Sequence, residues 1–159
     1  MELFIIYGIG GATFSSIVSF LLEEDKMLLV KAFGGTTLIF FCFTIAALVA
    51  KRRSYLFIGA AAFSALSLLG LMSMVNIFFR SPAIYNMQLY GGLLIFLAYI
   101  IYDTQIIIER ASLQAAHQRD PLWDAITLFD DFRSVFVRIL VILMRNREDK
   151  RRNNNNNRR

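Results

Sequence analysis

The chain has 159 residues, of which 57% are hydrophobic, and its formal net charge is +5. Soluble domains are usually about 45–50% apolar, and a soluble core of this size cannot take in so much more apolar surface. The composition therefore excludes an ordinary soluble domain and predicts a membrane protein.

Four windows carry no charge, and each approaches or exceeds the roughly 20 apolar residues that a membrane crossing needs. They are residues 3–22, 32–50, 54–79 and 81–102. None shows the alternation of a strand, and backbone groups in lipid must be satisfied within the chain, which leaves helices. With a fifth apolar segment at 122–144, the sequence predicts an all-α polytopic transmembrane bundle of about five helices over residues 1–145.

The first window could also be a signal peptide, because it begins next to Met1. It has no preceding basic residues, directly follows the acidic Glu2 and is too long for the apolar part of a signal, so we predict a helix of the mature bundle. Gly8, Gly10 and Gly11 would either let a neighbouring helix approach closely or merely loosen this helix. The single cysteine, Cys42, gives no indication of redox compartment.

Charged residues fall between the windows, where loops are expected. The connection at 23–26 is mainly acidic, the one at 51–53 is basic, a short one surrounds Arg80, and a longer polar loop covers 109–121. Basic short loops tend to stay cytoplasmic, which places 51–53 and 109–121 on one side and the acidic connection opposite. A full crossing by the fifth segment would put the basic C-terminus on the wrong side of this pattern.

The fifth segment fits three arrangements: a helix buried in the bundle, a re-entrant helix, or an amphipathic helix at the interface. Asp124, Asp131 and Arg138 repeat every seven residues and share one face. A surface helix would present basic residues rather than aspartates to anionic headgroups, so the spacing favours a bundle-packed helix. An apolar stripe on another face agrees with this, through Ile126, Phe129, Phe132, Phe136, Leu140 and Leu143.

Residues 146–159 are predicted to form a disordered basic tail, because their composition cannot bury enough apolar area to order itself. The tail includes a run of asparagines and the arginines Arg151, Arg152, Arg158 and Arg159. These arginines either contact anionic lipid or an acidic partner, or they are simply solvated.

Two aspartates lie at membrane depth, which costs a few kcal/mol and usually marks an ion or proton path. With a rise of about 1.5 Å per residue, Asp103 lies roughly 10 Å and Asp131 roughly 15 Å from the edge of the same loop. On adjacent antiparallel helices they could share one site.

Two carboxylates in one partly desolvated pocket resist double ionisation, so one keeps a proton and the pair titrates as a unit. Carboxylates also suit calcium, although its six to eight oxygen ligands would require further polar atoms, for which Thr104 and Gln105 are nearby. The alternative interpretation is ion pairing with arginines, as for Asp130 with Arg133.

No arrangement of nucleophile and base, and no metal-binding or phosphate-binding motif, is apparent in the sequence. His117, the only histidine, lies in a polar loop and is predicted to be solvated rather than a ligand. We therefore predict neither an enzyme nor a nucleic-acid partner.

Several segments resemble the Bax inhibitor family of transmembrane proteins. They are 102–109 (YDTQIIIE), 128–132 (LFDDF) and 135–140 (VFVRIL), and 51–56 (KRRSYL) and 64–68 (SALSL) fit its endoplasmic-reticulum branch. The similarity runs from about residue 8 to residue 149. The resemblance implies a protein of the endoplasmic-reticulum membrane that suppresses stress-induced apoptosis and mediates a pH-sensitive calcium leak.

The resemblance also implies contact with anti-apoptotic Bcl-2 relatives and a cytosolic basic tail. It places the two sensor aspartates on Asp103 and Asp131, with Asp130 at a usually apolar position. The family fold has seven helices, including about two before the one that begins near Glu2, with an arginine there that latches the aspartates. Compared with that family pattern, this sequence is short at its N-terminus.

Our leading hypothesis is that Asp103 and Asp131 form a proton-tuned site for calcium, as the transported or bound ion, with no other cofactor. The rival hypothesis is a non-conducting membrane protein that regulates cell death by binding Bcl-2-type partners. It would act through small-residue helix faces and the tail. The oligomeric state is open in both.

Overall fold

The computed structural model describes residues 26–50, 55–112 and 121–157, together with positions 11, 12, 14–16, 18 and 19. Its long helices are α1 (Lys26–Val49), α2 (Tyr55–Phe79), α3 (Pro82–Ser112) and α4 (Pro121–Asn156). The described positions between 11 and 19 are helical as well, and no strand occurs in the described part of the chain. The predicted all-α fold is confirmed.

Three of these helices are long and apolar enough to cross a membrane: α1, α3 and residues Phe57–Phe79 of α2. Much of their apolar surface faces outward, and in α2 the side chains of Phe57, Phe78 and Phe79 are at least 76% exposed. Soluble proteins rarely expose contiguous apolar surface of this kind. The exposure is what lipid contact requires, and it agrees with the predicted multi-pass bundle.

The predicted short connection between α2 and α3 is a tight turn. Arg80 adopts a φ of 46°, in the left-handed region, as helices commonly do where they end. The side-chain oxygen of Asn76 accepts a hydrogen bond from the Ser81 N–H at 2.8 Å. Pro82 then begins α3 at a position where its missing N–H costs nothing. The turn makes α2 and α3 neighbours.

Helix α4 packs against both α1 and α3. Val135 and Leu140 are fully buried, and Phe136 joins Ala32 of α1 and Leu140 in the core. The ring of Phe14, in the first predicted helix, lies 5.7 Å from that of Phe136. This is the bundle-packed arrangement that the heptad spacing favoured. One member of the predicted apolar stripe differs, since Phe129 is 62% exposed.

Helix α4 also continues to Asn156, where the sequence suggested disorder from residue 146. Most residues between 145 and 152 are good helix formers, and no proline or glycine interrupts them. Arg151 and Arg152 are exposed on this extension, whereas Arg158 and Arg159 lie outside the described residues. The division into a bundle and a tail stays a prediction.

Several other predictions fall on residues that the structure does not describe. They concern Glu2, Gly8, Gly10, His117 and the loops at 23–25, 51–53 and 113–120.

Candidate functional site

Antiparallel helices α3 and α4 contact each other in four layers, each of which contains one charged side chain of α4. On α4 the layers recur every seven residues, which is about two helical turns and therefore one face. We call this set the polar ladder, and its layers are Arg110 with Asp124, Asp103 with Asp131, Phe96 with Arg138, and Asn86 with Arg145.

The layers differ in charge along the ladder. Nearest the α3–α4 loop, Nη1 of Arg110 lies 3.0 Å from Oδ1 of Asp124. At the opposite end, the Arg145 guanidinium donates a hydrogen bond to the side-chain oxygen of Asn86. On α4 the ladder is thus acidic in the two layers near the loop and basic in the two layers beyond them.

The structure brings the two predicted aspartates together in the second layer. Their carboxyl groups lie within hydrogen-bonding reach of each other. Asp131 is only 6% exposed, and no described residue donates a hydrogen bond to its buried Oδ2 atom. Two ionised carboxylates would repel each other at this contact, and a proton or a cation between them would relieve that repulsion.

A groove gives access to the aspartates. Helices α2 and α4 both pack against α3, but among the described residues they make no close backbone contact with each other. The gap between them holds about 290 Å³, room for several waters at about 30 Å³ each. Its lining consists of Phe63, Leu66, Phe96, Tyr99, Asp103, Thr127, Asp130 and Asp131. An ion entering this groove would meet carboxylates between largely apolar walls.

The predicted accessory residues have different surroundings. Asp130 lines the groove but is bound by Arg133, whose Nη2 lies 2.6 Å from its Oδ1, so the ion-pair interpretation holds for this residue. The Thr104 hydroxyl is buried without a hydrogen-bond partner among the described residues. The Gln105 amide nitrogen donates instead to backbone oxygens of Ala47 and Ala50. The site role predicted for Thr104 and Gln105 stays a prediction.

A family model described as "Inhibitor of apoptosis-promoting Bax1" matches residues 1–148, nearly the whole chain. The chain belongs to the Bax inhibitor family. This confirms the resemblance seen in the aspartate motifs.

Relatives in plants and animals share this similarity. Bax inhibitor 1 of Oryza sativa subsp. japonica is 47% identical over 137 residues, which cover 86% of this chain and 54% of that protein. The human Bax inhibitor 1 is 42% identical over 136 residues, with 86% and 56% covered. That of Arabidopsis thaliana is 41% identical over 145 residues, with 91% and 58% covered. The chain thus spans about half the length of these relatives, and no solved structure matches it significantly.

In this Bax inhibitor family chain, the aspartate pair offers few ligands for a metal. Among the described residues, no group of three or more histidine, cysteine, aspartate or glutamate side chains could hold a metal ion. Calcium takes six to eight oxygens, so most of its ligands at Asp103 and Asp131 would be waters or backbone carbonyls.

Sequence reasoning missed the third layer of the ladder. The Arg138 guanidinium lies over the ring of Phe96, with its central carbon 4.2 Å from the ring centroid. The predicted pairing of Asp103 with Asp131 was enough to predict this contact. In an antiparallel pair, seven residues back on α3 and seven forward on α4 bring Phe96 opposite Arg138.

Proposed function

We propose that this chain is a multi-pass protein of the endoplasmic-reticulum membrane that suppresses stress-induced apoptosis. We further propose that it mediates a pH-sensitive calcium leak through Asp103 and Asp131. Membership of the Bax inhibitor family supports the first proposal. The observation that carries the second is the contact of two carboxyl groups, one of them buried, beside a groove with room for several waters.

The pH dependence follows from competition. Calcium binds ionised carboxylates, and protons compete for the same oxygens, so acidification weakens calcium binding at the pair. Other ionisable groups near the pair are Tyr99 and Asp130, which line the same groove, and Arg110 one layer away. Asp130 is already paired with Arg133. The proton balance therefore centres on the two facing aspartates.

Calcium flux in reconstituted vesicles tests this proposal. We expect Asp103→Asn and Asp131→Asn each to lower calcium flux to that of protein-free vesicles, because each removes a charge that attracts the cation. The pH dependence of flux should disappear with it. Asp149→Asn is the matched control, since Asp149 is an exposed carboxylate on the same helix as Asp131. Wild-type flux in either of the first two variants would refute the calcium role.

A second candidate is the non-conducting interaction protein, which would restrain cell death by binding anti-apoptotic Bcl-2 relatives. The exposed basic end of α4, with Arg151 and Arg152, favours it, because it offers positive charge to an acidic partner surface.

Deletion of residues 146–159 separates the two candidates. The calcium proposal expects flux to persist in the shortened chain, because the aspartate pair and its groove lie within the retained part. The interaction proposal expects binding of a purified Bcl-2 relative, measured by co-sedimentation with the vesicles, to be lost. Flux that disappears while partner binding persists would contradict both expectations.

A further inference from the structure

Arg138 is a positively charged residue near the aspartate pair, and the proposed calcium site gives it no role. The Phe96 ring takes part in both features, because it lines the groove and also lies under the Arg138 guanidinium. Arg138 itself does not line the groove. It lies seven residues beyond Asp131, about 10 Å further along α4.

Gly92 makes room for the Arg138 guanidinium against α3. A Cβ atom added at Gly92 would lie 2.6 Å from Nε of Arg138 and 3.2 Å from its central carbon. The guanidinium therefore lies directly against the α3 backbone, where only glycine leaves room. On the other side, Nη1 donates to the Ser134 carbonyl of its own helix at 3.3 Å.

The charge of Arg138 lacks a counter-ion within the described ranges. Arg138 takes no part in the ion pairs of Arg110 with Asp124 and of Arg133 with Asp130. A half-buried positive charge without a carboxylate partner is poorly screened by solvent, so it repels other cations over a long range.

We propose that Arg138, held by Gly92 and Phe96, is a charge barrier that limits how fast a divalent cation moves beyond the aspartate pair. This inference rests on the proposed calcium leak. The acidic layers of the ladder attract the ion, and the first basic layer opposes its further passage. Arg138 acts on the ion without binding it.

The test measures calcium flux in vesicles for Arg138→Gln and Arg138→Lys. Without the charge, calcium flux should rise by at least about threefold, because a long-range repulsion is removed. Lysine keeps the charge but loses the planar fork, so flux should stay within about twofold of wild type. Adding Asp103→Asn to Arg138→Gln should abolish the extra flux, since the ion still enters through the aspartate pair.

Two neighbouring glycines supply a second, independent variant and its control. Gly92→Ala should push the guanidinium away from the α3 backbone and raise calcium flux, by less than Arg138→Gln does, because the charge stays nearby. Gly91→Ala should not, because its new Cβ would meet only Leu69 Cδ2, at the ordinary distance of 3.9 Å. If Arg138→Gln does not yield folded protein, this glycine pair gives the same comparison.

Chloride flux and calcium binding distinguish a barrier from a merely structural role. If Arg138 is a charge barrier, Arg138→Gln should raise calcium flux while chloride flux and the calcium affinity of the aspartate pair stay at wild-type values. A rise in both fluxes would show a loosened bundle and overturn the inference, as would an Arg138→Lys flux as high as that of Arg138→Gln. If calcium flux is unchanged in Arg138→Gln while the aspartate variants stay inactive, the barrier role is overturned and the proposed calcium leak stands. If no variant conducts calcium, both proposals are overturned.

Discussion

Alanine in place of Gly59 is expected to force α2 away from α3. A Cβ atom at this position would overlap Cε2 and Cδ2 of the Tyr102 ring, far closer than real Cβ atoms come. A tyrosine ring is rigid, so relief requires that the ring or the helix moves. Overpacking of this kind usually costs about 1–3 kcal/mol, and the large overlap places Gly59→Ala at the upper end.

The effect should also reach the aspartate pair, because Tyr102 directly precedes Asp103. Thermal unfolding in detergent, followed by circular dichroism, measures the loss of stability, and calcium flux measures the effect on the site. Gly70→Ala is the control on the same helix, where an added Cβ meets nothing within 4 Å. There alanine should be neutral or stabilising by up to about 1 kcal/mol, since it favours the helix. Equal unfolding temperatures for the two variants would show that the α2–α3 contact is not so close.

Replacing Gln105 with leucine should loosen α1 from α3. The Gln105 amide nitrogen donates to the backbone oxygens of Ala47 and Ala50, near the end of α1, where carbonyls lack partners within the helix. Ala47 is fully buried, so its carbonyl cannot turn to water instead. We expect Gln105→Leu to lower the free energy of unfolding by about 1–2 kcal/mol.

Gln88 on the same helix provides the matched control. Its amide nitrogen is buried without a hydrogen-bond partner among the described residues. Gln88→Leu therefore removes an unsatisfied donor and should leave stability unchanged or raise it. The two variants make the same chemical change, and a similar loss in both would mean that the hydrogen bonds of Gln105 contribute little.

The helices and the central pair of the site could be predicted because they depend on regular geometry. Uncharged windows of sufficient length have few alternatives to a helix in lipid. The constant rise of a helix then placed Asp103 and Asp131 at similar depth. The heptad spacing of Asp124, Asp131 and Arg138 likewise predicted their common face, which the structure turns toward α3.

Contacts between distant parts of the chain could not be predicted in the same way. Gln105 reaches Ala47 across 58 residues, and neither hydropathy nor spacing indicates which helix an amide will face. The contact of the Tyr102 ring with Gly59 depends on which face of α2 packs against α3. The uniformly apolar sequence of α2 does not indicate that face. Phe129 fits the apolar period yet is exposed, because the packed face of α4 is narrower than the period alone suggests.

The ladder constrains the lengths of α3 and α4 more than their composition. Each added residue turns a helix by about 100°, so a one-residue insertion between Asp131 and Arg138 would swing the basic layers away from α3 and leave the acidic ones in place. A deletion there would do the same in the opposite sense. Many side chains along these two helices can therefore be exchanged without loss of the ladder, whereas an insertion or a deletion between its layers would break it.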